Sequence, residues 1–511
     1  MDRVWSPDAV RKNQYTSPYG TIVSLDVSPL EEGLIYAGTD DGLVQVTENG
    51  GKTWRTIESF PGVPDTTYVV DVVASRHDPN TVFALFNNHK EGDYQPYVLK
   101  STDRGRNWTS ITANLPEDEP VWSLVQDHED EDLLFLGAEF GVYTSLNGGE
   151  KWIELTGNVP TIQFRELAIQ RREDDLVGAT FGRGFYVLDN YAPLQQIDGE
   201  LLNQEAHLFS VKDADAYIQT DPLGGGEKGS RGHALYTAPN PPFGAIFTYY
   251  LRDELTTKRE ERLDRERMLR RQDKSVDFPS WDSLRAEERE EAPAVVLEVQ
   301  TENGEVVRRV EGPHTNGLHR VSWDLRHPSF EPVEEGENES GPMVAPGTYT
   351  VRLLKRDDGQ FEPLGEPRSF EVEPLQEPTL APADREARLA FQTKAARLQR
   401  AVMATNQVTE RAAQQLDRIK QAVQNGPDVS LDLYERARAL ERRLDSLRVR
   451  LTGPTVKEAY NEPTPPAVLD RVQRVVGTFW GTTTPPRNTS ARLRDCLGAI
   501  LYAARPVPDA D

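Results

Sequence analysis

One short pattern recurs in the N-terminal part of the chain and constrains the fold more than any other feature. In Leu34 to Trp54, LIYAGTDDGLVQVTENGGKTW, two apolar runs flank an Asp-Gly turn and lead into a Gly-rich corner that ends on tryptophan. Such runs between Asp, Asn and Gly clusters are typical of short antiparallel strands. The pattern returns in Leu133 to Trp152, ahead of Trp108, and from Asp175 to Asp189. Self-similarity at a period of roughly 40 to 50 residues predicts a β-propeller.

The strand pattern predicts four blades of four strands each. First strands begin near Thr21, Thr67, Val121 and Phe164, and a last strand is expected near Leu194. An incomplete ring leaves apolar end faces in water, and Trp5 resembles the end of a preceding blade. We therefore expect the C-terminal part of a larger ring, completed by an upstream propeller half or by a partner chain. A closed four-blade ring is the alternative.

The rest of the chain changes character twice. Residues 1–197 are expected to form the blades and residues 198–233, with GGGEKGSRG, a linker. Residues 234–376 show short strands with in/out alternation and predict an Ig-like β-sandwich, interrupted by a charged helical insertion at 252–292. An apolar seam at helical spacing predicts a helical hairpin within a C-terminal tail at 384–505, with Asp432 and Glu435 capping its second helix. The predicted fold class is mainly β.

Charge and cysteine content exclude several classes of protein. The 83 acidic residues outnumber the 58 basic ones, which gives a net charge of -25 and argues against a nucleic-acid partner. The single cysteine, Cys496, excludes an intrachain disulfide and a Cys-rich metal site, and we expect it to be a buried helical thiol. No apolar run approaches the roughly 20 residues of a membrane span. We expect no metal and no cofactor.

Three Gly-rich corners share one spacing, and the chemistry of that spacing is structural. The Asp or Asn side chain can accept backbone N–H groups across the turn, glycine permits positive φ, and tryptophan can pack beneath the corner. The residues concerned are Asn49, Gly51 and Trp54 in the first unit, Asp103, Gly105 and Trp108 in the second, and Asn147, Gly149 and Trp152 in the third.

At these residues the sequence resembles the Asp-box (BNR) propeller proteins, which include sialidases, xyloglucan-hydrolysing glucanases, plastid photosystem assembly factors and sortilin-type receptors. It is most similar to a bacterial group of sortilin N-terminal-domain proteins labelled glycosyl hydrolases. YAGTDDGLVQVTENGGKTW and FGRGFYVLDNYAPLQQI look like that group's propeller end, and GLHRVSWDLRHP and GPMVAPGTYTVRL like its Ig-like module. The resemblance implies a secreted or periplasmic protein. It also implies a signal peptide and more propeller upstream, neither of which is found in these 511 residues, so we expect a truncated chain.

The propeller mouth opposite the corners is the expected ligand site. Loops and strand starts on that side carry carboxylates, aromatics and arginines, which suit a carbohydrate or a peptide segment. The candidates for ligand binding are Asp40, His89, Phe140, Arg183, Trp122 and Arg165, with Tyr68 and Phe181 nearby. The candidates for catalysis are Asp41, Asp93 and Glu139, from three successive blades.

Two functions follow from this pattern. The first is a non-catalytic propeller of the sortilin/BNR type that binds a protein or a glycan at its mouth. The second is a secreted glycoside hydrolase, which needs two carboxyl groups about 5 to 10 Å apart across one cleft. Each candidate also has a structural interpretation, since Asp41-Gly42 is a good hairpin turn and the two phenylalanines can plug the channel. No G-x-S-x-G, H-E-x-x-H or P-loop motif occurs.

Overall fold

The computed structural model describes residues 20–219, 238, 240–329, 340–376, 382–460 and 462–479. The chain divides into two compact units, one ending at Gln204 and the other starting at Glu205. Trp5 and Cys496, for which the sequence predicts a blade end and a buried thiol, lie outside the described residues.

The first three repeats of the N-terminal unit are four-stranded antiparallel sheets, in which each strand pairs with the next along the chain. The innermost strands start within a residue of the predicted positions. The strands are β1 (Ile22–Val27), β2 (Ile35–Thr39), β3 (Val44–Thr47) and β4 (Arg55–Ile57); β5 (Tyr68–Ala74), β6 (Val82–Asn87), β7 (Tyr97–Ser101) and β8 (Thr109–Ser110); and β9 (Val121–Gln126), β10 (Leu134–Ala138), β11 (Val142–Ser145) and β12 (Ile153–Glu154). A short 3-10 helix covers His89–Glu91.

The fourth repeat has three strands rather than the four predicted. Its strands are β13 (Phe164–Gln170), β14 (Asp175–Thr180) and β15 (Gly184–Leu188). The expected last strand near Leu194 is wrong, because Ala192–Gln196 forms a 3-10 helix. Pro193 explains the difference: it lacks a backbone N–H to donate to a sheet, and its fixed φ suits the first turn of a helix. A second 3-10 helix covers Leu201–Asn203.

The four sheets pack face to face as consecutive blades of a β-propeller. Their innermost strands are neighbours, with the Ala74 N–H donating to Asp26 at 2.8 Å, the Leu124 N–H to Asp71 at 3.0 Å and the Leu167 N–H to the Ser123 hydroxyl at 3.2 Å. A separate apolar core fills each of the three gaps between blades. Every blade therefore depends on its neighbours for its core.

Large apolar side chains remain exposed on the first and last blades. Leu25 and Val27 of β1 are 58% and 50% exposed, and Phe185 and Val187 of β15 are 75% and 51% exposed. Strand residues of this size are normally buried in a blade. The four blades thus form part of a propeller, with two apolar ends.

The C-terminal unit begins with a β-sandwich. One sheet has the order β16-β18-β21, and the other has the order β17-β26-β24-β19-β20, with β25 paired to β24 and a separate β22–β23 hairpin. Trp323, Phe247 and Phe370 lie in the core between them. The strands are β16 (Ala206–Leu208), β17 (Ala214–Ala216), β18 (Ala245–Leu251), β19 (Ala294–Thr301), β20 (Val306–Gly312), β21 (Gly317–Trp323), β22 (Arg326–Pro328), β23 (Ser340–Met343), β24 (Gly347–Asp357), β25 (Gln360–Pro363) and β26 (Arg368–Pro374).

Two features of this sandwich bear on the predicted boundaries. Strands β16 and β17 fall inside residues 198–233, the segment expected to be a linker. The charged insertion contains α1 (Lys258–Arg271) and α2 (Trp281–Arg289), and a capping box at Thr257 and Glu260 starts α1. The two helices are joined by ion pairs rather than by an apolar core, with Arg262 contacting Glu287 at 2.7 Å.

The tail is a helical hairpin with additional helices packed on it. Its helices are α3 (Pro382–Asn425), α4 (Leu431–Thr452), α5 (Thr455–Ala459) and α6 (Val468–Phe479). Helix α4 is capped by Ser430, whose hydroxyl accepts the Asp432 N–H, and not by the predicted Asp432 and Glu435. Val472 and Val476 of α6 pack on Val402 of α3. Within the described residues, no helix has both the length and the apolar character needed to cross a bilayer.

Candidate functional site

The blade topology separates two kinds of loop onto opposite sides of the propeller. Because neighbouring strands are antiparallel, the starts of β1, β5, β9 and β13 lie on the same side as the turns between the second and third strands. The three Gly-rich corners connect third to fourth strands and lie on the other side, together with the turns that follow the innermost strands. Arg104 of the second corner accordingly contacts Glu31, which follows β1, at 2.5 Å.

A stack of three side chains crosses the predicted mouth. The guanidinium carbon of Arg165, at the start of β13, lies 3.8 Å from the centroid of the Trp122 ring at the start of β9. The His89 ring, from the loop after β6, lies 5.4 Å from the same Trp122 ring. Cation–π and aromatic contacts of this kind are worth about 0.5 to 1 kcal/mol each near a surface. The stack joins the second, third and fourth blades, and Arg165 remains exposed.

Glu139 ties this stack to the neighbouring loops. Its Oε2 accepts the Trp122 indole N–H at 2.9 Å and the Gln163 amide at 2.7 Å. The Phe181 N–H in turn donates to the Gln163 carbonyl at 3.0 Å. Phe181 is 71% exposed and Phe140, next to Glu139, is 50% exposed. The mouth therefore presents two exposed aromatic rings and an arginine on a hydrogen-bonded base.

The blade-1 side of the mouth carries Asp40, Tyr68 and Lys90. Asp40 accepts the backbone N–H groups of Gly20 and Thr21 at 2.7 and 2.8 Å. The Lys90 ammonium lies 5.1 Å from the Tyr68 ring centroid. Burial and the Asp40 carboxylate raise the pKa of Tyr68, and burial and the Lys90 charge lower the pKa of His89. At neutral pH we expect a neutral His89 and a protonated Tyr68, both able to donate one hydrogen bond.

The three catalytic candidates are each engaged within the protein. Asp41 is 3% exposed and accepts the Thr39 hydroxyl at 2.5 Å inside its hairpin. Asp93 accepts the Tyr97 hydroxyl at 2.7 Å and the Asn88 amide at 3.1 Å. These bonds orient the turn and the loop that contain them. Arg183 is exposed in the β14–β15 turn, beside Phe181.

Two mouth residues are not apparent from the sequence pattern, namely Gln163 and Glu119. Glu119 is 4% exposed, and its Oε1 accepts the Phe140 backbone N–H at 2.8 Å. Burial raises the pKa of Glu119, and the nearby Glu139 and Glu154 carboxylates add to the rise. Glu119 precedes the innermost strand β9 by two positions, and Gln163 precedes the innermost strand β13 by one. That position is the signal by which they could have been found.

The three Gly-rich corners have the geometry that their spacing predicts. Asp103 accepts the backbone N–H of Asn107 at 2.8 Å, the Asn107 side-chain amide at 2.6 Å and the backbone N–H of Arg106 at 2.9 Å, and hydrogen bonds from Asn107 above all lower its pKa to about 2. Asn49 and Asn147 accept the N–H four residues later at 3.0 and 2.9 Å. The side-chain oxygens of these residues therefore accept hydrogen bonds from their own turns, as expected of a structural element.

The tryptophans of the corners differ in burial. Trp152 is 2% exposed and donates its indole N–H to the Ile111 carbonyl of the preceding blade at 2.8 Å. Trp108 packs against Phe60 of its preceding blade, with ring centroids 5.6 Å apart. Trp54 lies beside Gly51 of its own corner but is 45% exposed. Each buried tryptophan relies on the blade before it, and the described residues contain no blade before the first.

The innermost strands carry a second set of acidic groups. Burial raises the pKa of Asp71 to about 7; the Glu166 and Asp26 carboxylates add to the rise, and the Leu124 N–H that Asp71 accepts opposes it. The pKa of Asp26 and of Glu166 is also raised by burial. Within the described residues, no group of His, Cys, Asp or Glu side chains is arranged to hold a metal ion.

We expect the stability of the propeller to fall as pH rises through 7. An unfolded Asp71 titrates near its ordinary value of about 3.9, so between that pH and 7 the folded state binds one more proton. The stabilisation from the bound proton is therefore complete below about pH 3.9, decreases as pH rises from there, and is lost once pH passes 7. Asp71→Asn should flatten the change in unfolding free energy between pH 5 and 8 by about 2 to 3 kcal/mol in urea titrations. Asp118→Asn, an exposed matched change, should leave the slope intact; an unchanged slope in Asp71→Asn would contradict this assignment.

Comparisons with known proteins find only solved structures of low similarity. Models of known protein families gave no match, and neither did curated proteins. The similar solved structures include YCF48 bound to D1 peptide (14% identity, 34% of this chain and 56% of that one, TM-score 0.27). They include the GH74 xyloglucanase from Xanthomonas campestris (13%, 68% and 45%, TM-score 0.30) and the Cps50 (Swd1) β-propeller domain from Myceliophteria thermophila (12%, 38% and 63%, TM-score 0.27). The chain spans little more than half of YCF48. The fold assignment rests on the sheet topology above.

Proposed function

We propose that this protein is a binding protein of the sortilin/BNR propeller type, which recognises a protein segment or a glycan at the mouth without catalysis. The observation that carries the proposal is the stack of His89, Trp122 and Arg165 with the Glu139 network beneath it. Aromatic faces and a fixed arginine can contact a sugar ring or a peptide side chain. The proposal includes a secreted or periplasmic location, no metal or cofactor, and no nucleic-acid partner, since the net charge is -25.

The state of the mouth carboxylates supports binding over hydrolysis. A retaining or inverting glycosidase needs two accessible carboxyl groups facing one bond. Here Asp41 and Asp93 orient their own loops, and Glu139 accepts two hydrogen bonds from Trp122 and Gln163. None of the three is free of internal partners. In this arrangement Glu139 acts as a support for the aromatic surface.

One observation favours glycoside hydrolysis as a second candidate function. The pKa of Glu119 is raised, as a general acid requires, chiefly by burial. The nearby Glu139 carboxylate adds to that rise. A pair of Glu119 and Glu139 would replace the carboxylates predicted from the sequence. Against it, Glu119 is only 4% exposed and its carboxylate is engaged by the Phe140 backbone N–H.

Parallel screens separate the two functions. The full chain is tested for retention on glycan and peptide arrays and for release of reducing sugar from a polysaccharide panel. We expect retention of a ligand without turnover. The unmodified chain then has no hydrolytic activity for a substitution to reduce, and this holds for Asp41→Asn, Asp93→Asn, Glu119→Gln and Glu139→Gln. Hydrolysis that one of these changes reduces by 10²-fold or more would establish the hydrolase instead.

A further inference from the structure

The fourth blade contains an apolar groove at the place where the other blades carry their outermost strand. The groove has a volume of about 420 Å³ and lies between the segment after β12 and the face of β14 and β15. Its walls include Leu155 and Val159 on one side and Leu176, Tyr186 and Leu188 on the other. Strand β15 pairs only with β14 among the described residues, so its outer edge is open. An open edge beside an apolar groove is suited to receive a further strand.

The preceding blade shows what fills the equivalent groove. There the segment Ile111-Thr-Ala-Asn-Leu-Pro116 holds Trp152: the Ile111 carbonyl accepts its indole N–H at 2.8 Å, and the Asn114 amide bonds its backbone N–H and carbonyl at 2.8 and 2.9 Å. Leu115 of the same segment is 7% exposed. This segment is therefore the seat for the tryptophan and outer strand of the next blade.

The same seat is repeated in the third blade without a tryptophan on it. Leu155-Thr-Gly-Asn-Val-Pro160 matches the first segment position by position. Ala113 and Gly157, at equivalent positions, both have the left-handed conformation, with φ of 47° and 87°. Val159 is 38% exposed where its counterpart Leu115 is 7% exposed, and Asn158 is exposed. The seat is formed, but no tryptophan among the described residues of this unit occupies it.

The N-terminal segment of the chain carries a tryptophan ahead of an innermost strand, at a distance comparable with that of the corner tryptophans. In each of the first three blades, the corner tryptophan is followed by one outer strand and a loop that leads into the innermost strand of the next blade. Trp5 likewise precedes β1 in the sequence. A blade completed by the Trp5 segment would accordingly be followed directly by the first blade.

We propose that residues 1–19 of a second copy of this chain fill the groove on the fourth blade, with Trp5 on the Leu155–Pro160 seat. The first blade of that copy then lies against the fourth blade, so that Leu25, Val27 and Trp54 cover Phe185 and Val187. Two such contacts related by a two-fold axis close a ring of eight blades, within the range of known propellers. One arrangement thus accounts for the open strand edge, the empty seat and both exposed apolar ends.

The molar mass of the full chain, measured by light scattering over a range of concentrations, tests the proposal. We expect a dimer that is favoured at high ionic strength, because salt screens the repulsion between two copies with a net charge of -25 each. Trp5→Ala and Val187→Asp should each raise the dimer dissociation constant at least about tenfold. Ile153→Asp is the matched control, since Ile153 is a 45% exposed strand residue outside the groove. It should leave the dimer intact.

Hydrogen exchange on the same samples checks the seat itself. We expect the amides of Gly184–Leu188 to be protected in the dimer and to lose protection in Trp5→Ala and in Asn158→Ala. A monomer at all concentrations would overturn the proposal. A dimer would also overturn it if its dissociation constant were unchanged by Trp5→Ala and Val187→Asp. A monomer with protected β15 amides would mean that the segment docks on its own chain and would overturn the dimer. None of these readouts depends on a ligand at the mouth.

Discussion

Replacing Trp152 by alanine should destabilise the propeller more than any other single change at the Gly-rich corners. Trp152 is 2% exposed, and its indole and backbone make three hydrogen bonds to Ile111 and Asn114 of the preceding blade. Truncation of a buried tryptophan costs about 3 to 5 kcal/mol, since it removes apolar burial and leaves a cavity. It also leaves the Ile111 carbonyl without its donor. We expect a loss of that size in urea or thermal unfolding.

Trp54→Ala is the matched control for this measurement. Trp54 occupies the same place in its corner but is 45% exposed, so its truncation should cost less than about 1 kcal/mol in the isolated chain. Similar losses for the two variants would contradict the view that a corner tryptophan acts through the preceding blade. In the dimer proposed above Trp54 is covered, and there its truncation should also weaken association.

Local sequence pattern was sufficient for the blades because their strands are short, alternate in polarity and end at Gly and Asp turns. The innermost strands begin at Ile22, Tyr68, Val121 and Phe164, within a residue of the predicted starts. Corner geometry was equally predictable, since Asp103 bonds to residues three and four positions away. Both partners of such a hydrogen bond lie within four residues of each other, so a short stretch of sequence is enough to predict it.

Features that depend on a distant neighbour were not predictable in this way. Trp54 and Trp152 share one motif, yet within the described part of the chain only Trp152 of these two packs on a preceding blade. Asp41 looked like an accessible carboxylate at a mouth, but burial and the Thr39 hydroxyl make it part of its hairpin. The tertiary environment decided both outcomes. The strand expected near Leu194 failed for a local reason instead, because Pro193 lacks a backbone N–H for a sheet and starts a 3-10 helix.

The mouth was predictable as a location but not as an arrangement. Strand order places His89, Trp122 and Arg165 on one side of the propeller, which the blade pattern anticipates. That Arg165 lies on the Trp122 ring and Glu139 bonds Trp122 depends on the spacing between blades. Side chains from three repeats that are far apart in sequence meet there.

Changes to two exposed mouth residues should weaken ligand binding while leaving the fold intact. Phe140 is 50% exposed and Arg165 is exposed on the Trp122 ring, so Phe140→Ala and Arg165→Ala remove ligand-facing groups without opening the core. Aromatic and arginine anchors carry about 2 kcal/mol or more of a binding interaction, which corresponds to a loss of roughly 30-fold in affinity. Their unfolding midpoints should match that of the unmodified chain.

The corner side of the propeller supplies the control. Arg106 lies in the second corner, is 51% exposed and pairs with Glu48 at 2.7 Å. An exposed pair of this kind contributes less than about 1 kcal/mol to stability, so Arg106→Ala tests the opposite rim at little structural cost. It matches Arg165→Ala in the charge removed and in exposure.

The dissociation constant of a retained glycan or peptide, measured by calorimetry for the unmodified chain and these three variants, tests recognition at the mouth most directly. We expect affinity to fall at least about tenfold in Phe140→Ala and Arg165→Ala and to stay unchanged in Arg106→Ala. The reverse result, with binding lost at the corner and kept at the mouth, would contradict the assignment of recognition to the side away from the corners.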